Sequence, residues 1–347
     1  MEFEQYLSKL PEYDFAITYG SGVFKQVGYS EKDHKNAMLD VIIGVRDPIE
    51  WHRVNMQLNP EHYSFFRHLG SSTIAKLENF GLGHVYYNTT VMGPKGHERP
   101  VKYGVIEMEK LKHDLLEWDS LYVSGRLQKP VRFGLSNDLP AIIDAMNQNL
   151  RNAILAVLPL LPFQFSSYQL FIAITRLSYN GDIRTYFAEN PHKVQNIVEG
   201  NFDNFCQLYK PFLAACPLIH PIQGRDGWFE QDVSIPNLAR IAASLPSSLH
   251  SSVRAQLAFG PRTVNVEGLS TELLRDLYER RMTALFDPGM KNENLIAAKG
   301  AVARGIQMGV RRAVFRGSVD QAVRGVASFG VWNSVTYAAK KIMKFLK

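Results

Sequence analysis

The chain has 347 residues, 46% of them hydrophobic and 21% charged, with 25 Gly and 17 Pro. This is ordinary globular composition; it excludes bulk disorder, collagen-like repeats and coiled coil, and the length suits two or three domains. Two cysteines, Cys206 and Cys216, exclude a disulfide framework and a four-cysteine zinc site, and the net charge of +6 makes the placement of basic residues the next question.

The first third reads as α/β. Phe15–Thr18 is a short apolar run ending at Tyr19-Gly20-Ser21-Gly22, a strand opening into a tight turn. Leu39–Val45 (LDVIIGV) is nearly continuous and rich in β-branched residues, which predicts a buried central strand. Asp47-Pro48 predicts a helix start, with Asp as N-cap and Pro in the first turn. Residues 84–91 and 100–107 flank Gly93-Pro94-Lys95-Gly96 and read as a hairpin. Residues 109–118 read as a helix and 125–131 (GRLQKPV) as a basic loop.

From Asn137 onward the apolar spacing is helical, over 139–158, 167–177, 193–215, 237–245, 248–258 and 271–285, with 217–227 as a plain loop. The longest apolar stretch, 153–165, is broken by Pro159 and Pro162 and is shorter than the ~20 residues of a spanning helix. The first ten residues, MEFEQYLSKL, look like neither a signal nor a transit peptide.

The basic charge is concentrated at the end. Residues 291–347 sum to +9, leaving −3 for residues 1–290. Within this tail, Trp332, Val335, Ile342, Met343 and Leu346 fall on one helical face and Lys340, Lys341, Lys344 on the other. Such a face either packs on the protein's own body or docks on an anionic membrane surface; a regular apolar stripe argues against a nucleic-acid arm, and no nucleic-acid partner is expected.

The chemistry centres on the Gly20-Ser21 turn and Asp40. Glycines at a strand end let backbone N–H groups approach an anion, and a carboxylate inside so apolar a strand is costly unless paired or metal-bound. On neighbouring strands the two would make a phosphate cradle facing a Mg²⁺ ligand. The pattern is neither a P-loop nor a dinucleotide fingerprint.

Gly-Ser, a spacer and a strand Asp resemble the signature of polymerase-β-type nucleotidyltransferases. YGSGVF (19–24), LDVIIGV (39–45), DPIEWHRVNMQLNPEHYSF (47–65), KYGVI (102–106), GRLQKPV (125–131) and LSYNGDIR (177–184) together resemble the mitochondrial translocator assembly and maintenance family. That resemblance implies a phosphatidate cytidylyltransferase, peripheral on the matrix side of the mitochondrial inner membrane, which makes CDP-diacylglycerol from CTP and phosphatidate with Mg²⁺. The implied architecture is a nucleotidyltransferase-like mixed sheet over 1–136, a mainly helical domain closing the cleft over 137–289, and a basic amphipathic membrane-docking tail over 290–347. Asp40 would be catalytic and hold the metal, with Tyr19, Gly20, Ser21, Lys102, Arg126 and Lys129 on the nucleotide. Asp182 and Arg184 would close the cleft, though a helix-start acid with a surface ion pair accounts for them equally.

Two features depart from the general signature. The Ser21-to-Asp40 spacer is long, and the second acid expected two residues after Asp40 is Ile42. Glu107 is the candidate to complete the metal site, with Asp47 second; a helix-start acid favoured by the dipole is the competing account of Glu107. An RNA acceptor, or a non-catalytic membrane-bound assembly factor on the same fold, are the alternative functions.

Overall fold

The computed structural model describes residues 2–24, 37–92, 99–134, 139–183, 191–259, 268–286 and 291–329. The first domain contains α1 (Glu2–Leu7), β1 (Phe15–Tyr19), β2 (Leu39–Val45), α2 (Pro48–Leu58), α3 (Ser71–Asn79), β3 (Tyr86–Met92), β4 (Pro100–Glu107), α4 (Met108–Glu117), the single turn α5 (Ser124–Leu127) and β5 (Arg132–Phe133). Its five strands lie in the order β3-β4-β2-β1-β5. β2 pairs parallel with β4 and antiparallel with β1, so the sheet is mixed.

LDVIIGV occupies the centre of that sheet because both its faces are covered. Val41, Ile43 and Val45 pack with Tyr6, Leu7 and Trp51 from α1 and α2. Ile42, with Ile17 and Ile106, packs on Leu111 and Leu115 of α4 and Ile142 of the next domain. Asp47 caps α2 as its sequence predicts, its carboxylate accepting from Glu50 N at 3.0 Å. β3 and β4 form the expected antiparallel pair, and their connecting 93–96 turn lies outside the described residues.

The second domain is mainly helical: α6 (Leu139–Val157), β6 (Gln164–Ser166), α7 (Ser167–Leu177), α8 (Lys193–Glu199), α9 (Phe202–Ala214), β7 (Ile219–Pro221), β8 (Trp228–Gln231), α10 (Ile235–Ser244), α11 (Ser247–Gln256), α12 (Thr271–Phe286) and α13 (Lys291–Phe329). Three local readings change. The basic loop at 125–131 begins as α5, the single helix over 193–215 breaks at Gly200-Asn201 into α8 and α9, and the 217–227 loop frames a hairpin in a small sheet ordered β6-β8-β7. Strands of three or four residues carry too short an alternation to register as a period.

The largest departure is α13. Its 39 residues, about 58 Å at 1.5 Å per residue, run through the body of the protein. Ala298, Ala301, Val302, Ile306, Val310 and Val314 are buried in the main helical core. Glycines let it sit close: a Cβ on Gly305 would lie 2.5 Å from Val253 Cα, and one on Gly309 2.8 Å from Leu249 Cδ2, both on α11. Lys299 is buried, donating to the Leu161 carbonyl. Arg324 is buried against the first domain, where Nη1 donates to Glu78 O at 2.9 Å, while Asp320 accepts from Leu82 N at 2.6 Å. One face of α13 is thus built into the core as far as Arg324, packing on the helical core and on the sheet part of the chain. The tail residues Trp332, Val335, Lys340, Lys341, Ile342, Met343, Lys344 and Leu346 lie outside the described residues.

Candidate active site

One cleft of about 250 Å³ opens between the sheet and the helical domain. Its sheet wall follows from register. Tyr19, the last residue of β1, stands opposite Asp40, which stands opposite Lys102 across the parallel β2–β4 pair. Gly20 turns the chain with φ +82°, a left-handed conformation that favours glycine, and accepts from Val23 N at 3.1 Å and Phe24 N at 3.0 Å. A Cβ there would lie 3.3 Å from Asp40 Oδ2, and one on Gly22 would strike Met38 O at 2.3 Å. Arg99 fastens this turn, donating from Nη2 to Gly22 O at 2.7 Å and to Ala37 O at 2.9 Å.

The cations rest on aromatic faces. Lys102 Nζ lies 4.1 Å from the Tyr87 ring centroid, and the Arg126 guanidinium 3.9 Å from Tyr122 and 5.2 Å from Tyr19. Tyr19 and Tyr87 hydroxyls are 3.3 Å apart. Asp114 organises the loop that presents Tyr122 and Arg126. Its carboxylate accepts from Ser120 Oγ at 2.9 Å, Val123 N at 3.1 Å and Ser124 N at 2.8 Å, tying the 120–124 backbone to α4.

Lys129 stands where the domains meet. Its ammonium donates to Ser178 Oγ at 2.8 Å and to the Gly125 carbonyl. Burial, then the nearby Arg126 and Lys193 charges, push its pKa down to about 7. Gly125 makes that meeting possible, since a Cβ would lie 2.5 Å from Ser178 Cβ.

The opposite wall carries Ser178, Tyr179, Asp182, Lys193 and Asn201, with Val314 and Ser318 of α13 behind it. Asp182 is buried on a tight turn. Gly181, at φ +104°, presses on α13, where a Cβ would lie 2.6 Å from Arg311 O, and Ile183 N donates to Ser318 Oγ at 3.3 Å. Gly317 packs equally tightly on Ser120.

The family described as "Phosphatidate cytidylyltransferase, mitochondrial" matches residues 3–344. The chain belongs to that family. It is 35% identical over 346 residues to the mitochondrial phosphatidate cytidylyltransferase of Danio rerio, covering 99% of this chain and 94% of that one. The Xenopus laevis protein of the same name is 35% identical over 354 residues, covering 100% and 95%, and that of Schizosaccharomyces pombe is 32% identical over 365 residues, covering 99% and 84%. No helix among the described residues is long and apolar enough to cross a membrane.

In this phosphatidate cytidylyltransferase-family chain, the structure gathers Tyr19, Gly20, Ser21, Asp40, Lys102, Arg126, Lys129 and Asp182 around one cleft. Glu107 is a correction. It pairs with Val45 at the far end of β4, five residues from Lys102, or about 17 Å at the rise of a strand. Asp47 follows the same far end of β2, so neither acid reaches Asp40. Arg184 lies outside the described residues. Sequence reasoning missed Tyr122, Tyr179, Lys193 and Ser318 in the cleft, as well as the positioning residues Arg99 and Asp114.

His52, on α2, is buried in a polar network. Its Nδ1 meets Tyr63 OH at 2.7 Å and Nε2 meets Glu78 Oε2 at 3.3 Å, while Glu78 Oε1 accepts from Glu107 N at 3.0 Å. Burial lowers the His52 pKa to about 3 and raises that of Glu78 well above the carboxylate range, so both are held neutral. This network braces α2, α3 and β4 behind the sheet, away from the cleft.

Proposed function

We propose that the protein is a CTP:phosphatidate cytidylyltransferase, producing CDP-diacylglycerol and pyrophosphate. The observation that carries this is the convergence of a Gly-Ser turn, a strand carboxylate and several cations on one cleft, in a chain of this family. A phosphate oxygen of phosphatidate attacks the α-phosphorus of CTP. A new P–O–P bond forms as the bond from that phosphorus to the bridging oxygen of pyrophosphate breaks, and pyrophosphate leaves with the electron pair. The attacking oxygen is already anionic, so the site needs alignment and charge neutralisation rather than a strong base.

Gly20 and Ser21 line the triphosphate side, and Lys102 and Arg126 offset its charge. Lys129, poised near neutrality, gains its proton more firmly when an anion arrives. Asp40 and the Ser21 hydroxyl, oxygen donors on the sheet wall of the cleft, fit Mg²⁺ and would hold it there. Such sparse protein ligation suits a magnesium ion completed by water and substrate phosphates. When bound, Mg²⁺ would neutralise charge on the triphosphate and leaving group.

The protein works as a peripheral enzyme on the matrix face of the mitochondrial inner membrane. The apolar stripe from Trp332 to Leu346 enters the lipid interface, and Lys340, Lys341 and Lys344 meet anionic head groups. Because α13 is packed into the body as far as Arg324, the cut that isolates this role removes residues 330–347: liposome co-sedimentation is lost and CTP binding is kept. Unchanged co-sedimentation refutes the docking role. The activity is tested with CTP labelled at the α-phosphate, Mg²⁺ and phosphatidate in anionic liposomes, following label into the organic phase. Transfer by wild type and none by Asp40→Ala is the expected result; no transfer by wild type overturns the proposal.

A further inference from the structure

The helical wall has its own cation-aromatic arrangement. Lys129 Nζ and Lys193 Nζ, from different domains, lie 5.6 Å and 5.3 Å from the same Tyr179 ring centroid. Ser178 Oγ is bound to Lys129, and Asn201, nearly buried, lines the cleft beside them. The sheet-side cations use different rings, Lys102 on Tyr87 and Arg126 on Tyr122 and Tyr19. The cleft therefore holds two cationic platforms on opposite walls, with Lys129 between them.

We infer that the second platform, Lys193 on Tyr179, is a subsite for the phosphomonoester of the acceptor rather than for the nucleotide triphosphate, with Lys129 shared between the two. The inference rests on the transferase reading and deepens it. A reaction that joins two phosphates must bring two anions into contact, and one cationic cluster beside the triphosphate leaves the attacking phosphate repelled. A second cluster across the cleft offsets that repulsion and holds the acceptor on the side away from Gly20-Ser21. The carboxylate in this wall is Asp182, against which Lys193 and Lys129 leave a net positive charge. Crowding fits the same picture, since Lys129 loses basicity to Arg126 and Lys193 after burial, and an anion between the ammonium groups relieves it.

The test uses the full-length protein and dioctanoyl phosphatidate, which needs no membrane. Lys193→Ala raises the KM for phosphatidate about tenfold or more, the loss of one charge-assisted contact, while the KM for CTP stays within about twofold. Lys193→Arg restores most of the loss. A rise in the CTP KM equal to that for phosphatidate assigns the lysine to the nucleotide and overturns the inference, as does no change in either. Calorimetric titration with dioctanoyl phosphatidate alone separates the two readings. If wild type transfers nothing, the transferase reading fails, yet weaker binding by Lys193→Ala still supports a phosphomonoester subsite; equal binding by both proteins refutes it.

Discussion

The two walls of the cleft are made in different ways. The sheet wall is set by strand register: Tyr19, Asp40 and Lys102 are neighbours because β1, β2 and β4 pair as they do. The helical wall is set by close backbone approach. Gly125 admits Ser178, Gly181 admits Arg311 and Gly317 admits Ser120, each pairing segments distant in the chain. Chemistry on the first wall rides on a rigid hydrogen-bonded frame, whereas position on the second depends on contacts without a Cβ.

The sharpest break is chemical and confined to the sheet wall. Asp40→Asn should reduce transfer by about 10³-fold while thermal unfolding shifts little, because Asp40 stands at the strand end and not in the core. Label transfer and a melting curve check both halves. The helical wall should respond otherwise. Gly181→Val meets both a left-handed φ and the Arg311 carbonyl, so stability should fall by about 3 kcal/mol and kcat/KM by about 100-fold. Denaturant titration beside steady-state kinetics reads the two losses; activity lost with unchanged stability would contradict the close-packing account.

Lys129, at the seam, offers a finer probe. As pH rises through about 7 the free protein loses this positive charge, so the KM for CTP should climb about fivefold between roughly pH 6.5 and 8.5. Lys129→Arg, protonated throughout, should flatten that climb.

The smallest effect lies behind the sheet. Between pH 4.5 and 6.5 the unfolded chain protonates His52 and ionises Glu78, while the folded protein keeps both neutral. The extra proton on one group of the unfolded chain cancels the one missing from the other, so this pair leaves stability nearly independent of pH there. Glu78→Gln removes the cancellation. The lowered His52 pKa then makes stability fall as pH drops below 6.5, by about 1.4 kcal/mol per unit. Melting curves across pH 4.5–7 for both proteins show the slope or its absence.

This contrast also explains what the sequence revealed. LDVIIGV, the Tyr19-Gly20-Ser21 turn and the Asp47 cap are local signals, and each describes its own element. Parallel pairing of β2 with β4 is not local, so nothing in KYGVI announced that Lys102 would face Asp40 while Glu107 would not. Tyr179, Lys193 and Ser318 reached the cleft only through tertiary packing. For α13 the basic count masked a readable pattern: Ala298, Ala301, Val302, Ile306, Val310 and Val314, with Gly305 and Gly309 between them, trace a buried stripe. Net charge is blind to period, and the stripe was the better guide.

The clasp of α13 bears on when the enzyme can exist at all. Asp320 reaches Leu82 across 238 positions, and Arg324 reaches Glu78 across 246. A ribosome finishes both β2 and β4 long before it supplies the helix that backs Asp182, so an emerging chain owns half a cleft. Activity must wait until α13 has been made, and a protease that cuts the chain ahead of Arg311 would separate the 181–183 turn from the segment that backs it.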